Sequence, residues 1–87
     1  MQPKRLVLLR CPVVDDSLPT NEIDVAVGAK LALWRSARLI TQEVLGQHLG
    51  LSERCIQKIE GGEIRLHASA LINAAIVLGI QPRDLLP

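Results

Sequence analysis

Polar side chains are concentrated between Ser52 and Glu60, in a stretch whose apolar residues have helical spacing. Ile56 and Ile59 are three residues apart, so in a helix both would point to the same, buried side. The opposite side would carry Glu53, Arg54, Gln57 and Lys58. Arginine and lysine can donate to guanine O6 and N7, and glutamate can accept from cytosine N4. The segment therefore predicts a short helix whose exposed side has the chemistry to bond to base edges.

A second short helix must precede this one to position it. Thr41 is a good N-cap for the first helix, and Ser52 is a good N-cap for the second. The apolar stripe of the first helix consists of Val44, Leu45 and Leu49. Gly50 follows at the place where a helix commonly ends in a residue with positive φ. Gly46 lies inside the first helix at a cost of about 1 kcal/mol relative to alanine, which indicates that the backbone of a crossing helix passes close to it.

This pair of helices resembles the helix-turn-helix of the Cro and phage-repressor (Xre-type) transcriptional regulators. Counting from Gln42, that family has a small residue in fifth place, glycine in ninth place, and apolar residues in the tenth, fifteenth and eighteenth places. The corresponding residues here are Gly46, Gly50, Leu51, Ile56 and Ile59, and the resemblance covers about residues 24 to 86. In such proteins the second helix enters the major groove of DNA.

The resemblance implies roles for individual polar residues. The residues expected to read bases are Glu53, Arg54, Lys58 and Gln57, although Glu53 can equally be a first-turn acid that reads nothing and Gln57 can face the DNA backbone instead. Phosphate contacts are expected from Gln42, with Ser52, Cys55, Arg65 and Arg38 as further candidates. An ion pair between Arg35 and Glu60 is implied as a structural link between helices.

Residues 1–20 read as an N-terminal arm and linker, and residues 21–87 as the DNA-binding domain. Leu6, Val7, Leu8 and Leu9 predict a β-strand, and no other part of the chain predicts a strand to pair with it. Because an unpaired apolar edge is a liability, we expect antiparallel pairing with the same segment of a second subunit. Two alternatives stay open: the arm lays Lys4 and Arg5 along DNA, or it packs on its own helices.

The predicted fold class is all-α: a five-helix, repressor-like helix-turn-helix domain with this β-strand arm, which pairs across a dimer. A first helix is expected from Asn21 or Asp24 to about Arg38. The fourth is expected from His67 or Ser69 up to Gly79, with Leu71, Ile72, Ala75 and Leu78 facing the core. A last short helix is expected over residues 83–86. Many relatives dimerise near this end, where the candidates are Ile80, Leu85 and Leu86.

Composition limits the function classes that need to be considered. A chain of 87 residues makes one small domain, and a net charge of +1 is weak for a nucleic-acid binder, so we expect specific binding to need two subunits. Cys11 and Cys55 have no metal-site spacing, and there is no run of eighteen apolar residues. These features predict reduced thiols, a cytoplasmic protein associated with the nucleoid when on DNA, no membrane contact, no metal, no cofactor and no enzymatic activity.

The function expected from the sequence is that of a dimeric repressor, of phage or prophage type, that binds a pseudo-palindromic operator. Antitoxins that repress their own operon and controllers of restriction genes have the same features. The alternative from a different class is an antitoxin-like interaction module, whose N-terminal arm binds a toxin or other regulatory protein and whose DNA binding is secondary.

Overall fold

The computed structural model describes residues 20–87, and their regular structure is entirely helical. The elements in chain order are α1 (Glu22–Ala37), α2 (Gln42–Leu49), α3 (Glu53–Glu60), α4 (Ala68–Leu78) and a 3-10 helix (Pro82–Leu85). The predicted all-α body is confirmed. In place of the fifth predicted helix, over residues 83–86, the structure has a four-residue 3-10 helix, Pro82–Leu85. The strand predicted in the arm lies outside the described residues.

Asn21, Thr41 and Ser52 cap helices as predicted, whereas His67 begins α4 without a capping bond from its side chain. Asn21 Oδ1 accepts from the backbone N–H groups of Ile23 and Asp24 at 2.9 and 3.1 Å, and Asp24 Oδ2 accepts in return from the Asn21 N–H at 2.9 Å. Thr41 Oγ1 accepts from Val44 N at 3.1 Å. These bonds satisfy N–H groups that have no partner inside a helix, and so they fix where α1 and α2 begin.

The helices enclose a core of aliphatic side chains. Its fully buried members include Leu31, Leu45, Ile56, Ile59, Leu78 and Leu85. On α4 the buried side is formed by Ala70, Ala74, Ala75 and Leu78. The prediction that Ile72 faces the core is wrong, since 49% of its surface is exposed. Alanines occupy the inward positions of α4 and let it pack closely, which leaves the larger Ile72 outside.

Two glycines allow backbones to come into contact around α3. A Cβ atom on Gly28 would overlap the carbonyl oxygen of Ile59, so α1 and α3 cross with no side chain between them. A Cβ on Gly46 would lie 2.5 Å from Leu51 O, in the turn that leads into α3. A close backbone is present at Gly46 as predicted, but it belongs to that turn and not to a crossing helix, so this part of the prediction is wrong. Gly50 ends α2 with φ 72°, as expected for a left-handed C-cap.

Candidate nucleic-acid interface

The outer face of α3 consists of four polar side chains: Glu53, Arg54, Gln57 and Lys58. The first three are exposed and Lys58 is half-buried, whereas Cys55, Ile56 and Ile59 are buried on the opposite side. Ser52 fixes the start of the helix, because its Oγ accepts from Cys55 N at 3.1 Å. The spacing of apolar residues therefore orients α3 with its polar residues outward.

The side chains of the outer face are not used to hold the described fold together. Across residues 20–87, none of the four forms a hydrogen bond or an ion pair within the protein. Glu53 lies in the first turn, where a carboxylate is favourable to the helix dipole, and Lys58 lies in the last turn, where a cation is favourable. The donors and acceptors of this face are thus available to a partner outside the domain.

A partly buried polar junction lies at the other end of α3. Arg35 Nε donates to Glu60 Oε2 at 2.6 Å and Arg35 Nη2 donates to Glu60 Oε1 at 3.1 Å. Arg35 Nη1 also donates to Ile40 O at 2.8 Å, and Gln42 Nε2 donates to Glu60 Oε1 at 2.9 Å. The Glu60 side chain is only 7% exposed. The junction therefore joins the end of α1, the start of α2 and the end of α3 through one carboxylate.

Two predicted phosphate contacts, Arg38 and Arg65, make bonds inside the protein. Arg38 Nε donates to Leu78 O at 2.7 Å, and its guanidinium lies 5.3 Å from the centre of the Trp34 ring. Arg65 Nε and Nη2 each donate to the Asp24 carboxylate at 3.1 Å. This hydrogen-bonded guanidinium lowers the pKa of Asp24 below its ordinary value of 3.8. Both arginines tie helices and loops together, which their position in the sequence did not indicate.

The Cys55 side chain is wrongly predicted as a phosphate contact. It is 1% exposed, because it lies on the inner side of α3 with Ile56 and Ile59. The prediction of reduced thiols is also wrong for this residue, since Cys55 is disulfide-bonded. The spacing of cysteines along a chain does not show which sulfurs a fold brings together. The other cysteine of the sequence, Cys11, lies outside the described residues.

The C-terminal residues predicted to form a dimer contact have different environments. Leu85 is fully buried in its own domain, so the prediction for this residue is wrong: its side chain completes the core beside α4. Ile80 is half-buried against the core, and Leu86 is exposed. Exposed apolar residues that the sequence did not single out include Leu33 on α1 and Ile76 on α4. The arm residues Leu6, Val7, Leu8 and Leu9 lie outside the described residues.

Within residues 20–87 there is no group of three or more His, Cys, Asp or Glu side chains that could hold a metal ion. None of the helices in that range is both long and apolar enough to cross a bilayer. The candidate interface is the outer face of α3, whose four side chains make no bond within residues 20–87, together with the start of α2.

Comparison with known proteins agrees with this geometry. The family model of the helix-turn-helix domain matches residues 26–87 of this chain. A relative from Sinorhizobium medicae, described as an uncharacterized HTH-type transcriptional regulator, is 35% identical over 68 residues, which are 78% of this chain and 49% of the relative. The chain thus spans about half the length of that protein.

Three solved structures share the fold. The restriction-modification controller protein C.AhdI from Aeromonas hydrophila is 30% identical with a TM-score of 0.66, and the match covers 70% of this chain and 92% of C.AhdI. The clp gene regulator ClgR from Corynebacterium glutamicum matches with a TM-score of 0.72 at 22% identity. The match covers 77% of this chain and 71% of ClgR. Hydroxypropylphosphonic acid epoxidase from S. wedmorenis matches at 25% identity and a TM-score of 0.67, over 78% of this chain but only 36% of the epoxidase. The fold therefore also occurs as a minor part of an enzyme.

Proposed function

The chain belongs to the helix-turn-helix domain family, and on that premise we propose that it is a sequence-specific transcriptional regulator that binds double-stranded DNA through the outer face of α3. The observation that carries the proposal is that Arg54, Gln57 and their neighbours on this face are turned outward and make no bond within the described protein. A regulator rather than an enzyme is the function that these features favour.

The dimensions of α3 suit the major groove. An α-helix with its side chains is roughly 10–12 Å in diameter, and the major groove is about 12 Å wide. Arg54, in the first turn, is the residue we propose to contact a guanine, and Glu53 is the candidate acceptor from cytosine. Gln57 and Lys58 extend the same face by one turn. Gln42 and Ser52, at the starts of α2 and α3, are proposed to contact phosphates.

A dimer is proposed because the described body carries little electrostatic attraction for DNA. Cationic and anionic residues balance over residues 20–87, so the net charge of +1 comes from the arm. Non-specific attraction to phosphates is correspondingly small. Two copies on a pseudo-palindrome, with half-sites roughly 34 Å apart, double the contacts. We propose Ile80 and Leu86, with Leu6, Val7, Leu8 and Leu9 of the arm, as the dimer contacts.

Repression is the proposed outcome, since a dimer bound over a promoter blocks polymerase. A phage or prophage repressor is the type we propose, and the similarity to the restriction-modification controller C.AhdI supports a controller of restriction genes equally well. Such a regulator would act in the cytoplasm, on the nucleoid.

The test is selection of binding sites from random duplex DNA with the purified protein. The expected result is an enriched motif with two-fold symmetry and a guanine at the same place in each half-site. Absence of enrichment at moderate salt, with protein shown to be folded by circular dichroism, would contradict sequence-specific binding.

A second candidate function is an antitoxin-like interaction module that binds a toxin or other regulatory protein. The neutral charge of the body and the exposure of apolar Leu33 and Ile76 favour this alternative. Failure to enrich DNA, together with a stoichiometric complex between this chain and a co-expressed toxin from the same operon, would support it over the regulator.

A further inference from the structure

The side chains of Gln42 and Glu60 are joined by a hydrogen bond that fixes the orientation of the Gln42 amide. An ionised carboxylate accepts hydrogen bonds and donates none, so the amide of Gln42 must turn its NH₂ group toward Glu60. One of the two Nε2 protons is used in this bond, and the other remains to donate. Gln42 is the first residue of α2, where the backbone N–H groups of the first turn lack partners inside the helix.

The negative charge of Glu60, at the end of α3, would be unfavourable without Arg35. Glu60 is the last residue of α3, and a carboxylate there is disfavoured by the negative end of the helix dipole. It would also repel a phosphate near Gln42. The two hydrogen bonds from Arg35 neutralise the carboxylate and leave it able to accept from Gln42.

We propose that Glu60 is a positioning residue for DNA binding, which acts by holding the Gln42 amide as a donor toward a backbone phosphate. This inference rests on the proposed DNA binding. It assigns to Glu60 a role beyond joining helices, because the same carboxylate that anchors Arg35 also orients a group at the interface.

The substitution Glu60→Gln tests the proposal, because a positioning residue and an electrostatic bystander predict opposite changes in DNA affinity. It removes a negative charge, so if Glu60 were an electrostatic bystander the variant would bind DNA more tightly than wild type. We expect it instead to bind about tenfold more weakly, because the new amide has one acceptor oxygen in place of two, and Arg35 and Gln42 must compete for it. The matched control is Glu43→Gln, which removes the same charge from the exposed residue next to Gln42 and should leave binding unchanged or tighter.

A double-mutant cycle separates positioning from a structural role. Gln42→Ala should weaken binding about tenfold, and Glu60→Gln added to it should cost no more than about a further twofold, since both act through one contact. Additive losses, or tighter binding by Glu60→Gln alone, would overturn the inference. Thermal unfolding checks that each variant is folded. Wild-type protein that selects no DNA sequence would instead contradict the proposed function itself.

The wild-type protein provides a measurement that does not depend on a stable Glu60 variant. The two side-chain amide protons of Gln42 can be followed by NMR while the selected duplex is added. We expect the proton bonded to Glu60 to keep its chemical shift and the other to move. If neither moves, or if both have the averaged shifts of a solvent-exposed glutamine in the free protein, the proposal is contradicted.

Discussion

The two ends of α3 each carry a glutamate, and the structure uses them in opposite ways. Glu53 in the first turn is exposed and bonds to no other described side chain, whereas Glu60 in the last turn is 7% exposed and accepts from Arg35 and Gln42. The first position is favourable to the helix dipole and the last is unfavourable, so only Glu60 needs compensation from a cation. Bonding within the domain, rather than charge, therefore distinguishes the two glutamates: Glu60 maintains the fold, and Glu53 is available to a partner.

The largest effect should come from removing the cation of the junction. Arg35→Ala leaves the nearly buried Glu60 carboxylate without its main partner, and we expect the free energy of unfolding to fall by about 3–5 kcal/mol. Urea denaturation followed by circular dichroism measures it. The control Arg54→Ala, on the outer face, should change stability by no more than about 0.5 kcal/mol. Similar losses for the two variants would remove the distinction between the two ends of α3.

A side chain placed between the backbones of α1 and α3 should lower the free energy of unfolding by a smaller amount. In Gly28→Ala the new methyl group would overlap Ile59 O, and we expect a loss of about 1–3 kcal/mol because neither backbone can yield without moving the junction. The control is Gly79→Ala, where no atom lies within 4 Å and only the positive φ of 71° opposes the substitution. A Gly28→Ala protein that is at least as stable as the control would show that α1 and α3 do not pack this closely.

In the turn before Gln42, replacing Leu39 by glycine should increase the stability of the fold. Leu39 has φ 59° and is 92% exposed, so its side chain contributes little packing while its backbone is strained. We expect Leu39→Gly to raise the free energy of unfolding by about 0.5–1 kcal/mol, after allowing for the greater chain entropy of glycine. Leu33→Gly, at an exposed site inside α1, should instead lower it by about 1 kcal/mol. A loss at Leu39 would indicate that its side chain makes a stabilising contact.

The Asp24–Arg65 pair should give the smallest effect on stability, and only at low pH. Because Arg65 lowers the pKa of folded Asp24 below 3.8, the stabilisation is fully present above that pH and is lost as the pH falls through the lower folded value. We expect Asp24→Asn to flatten the dependence of unfolding free energy on pH below about pH 4. The same slope in both proteins would show that the pair does not form in solution.

Local features of the sequence predicted most of the fold and part of the site. Caps such as Asn21, Thr41 and Ser52 act through bonds within a few residues, so their positions could be recognised without a structure. The bonds of Arg38 to Leu78 and of Arg65 to Asp24 join residues about forty positions apart, and no spacing rule indicates them. Hence Arg38 and Arg65 could not be recognised from the sequence as residues that bond within the domain, whereas the resemblance did identify the Arg35–Glu60 pair. Burial of Cys55 and Leu85 was missed for the same reason, because it depends on how helices pack.

The most direct test of the account is to repeat the binding-site selection with Arg54→Ala and compare its motif with that of wild type. We predict that the symmetric motif persists, with one base pair in each half-site losing its preference by about 1–3 kcal/mol and the others unchanged. An identical motif for the two proteins would contradict the central assignment, that Arg54 on the outer face of α3 reads a base pair.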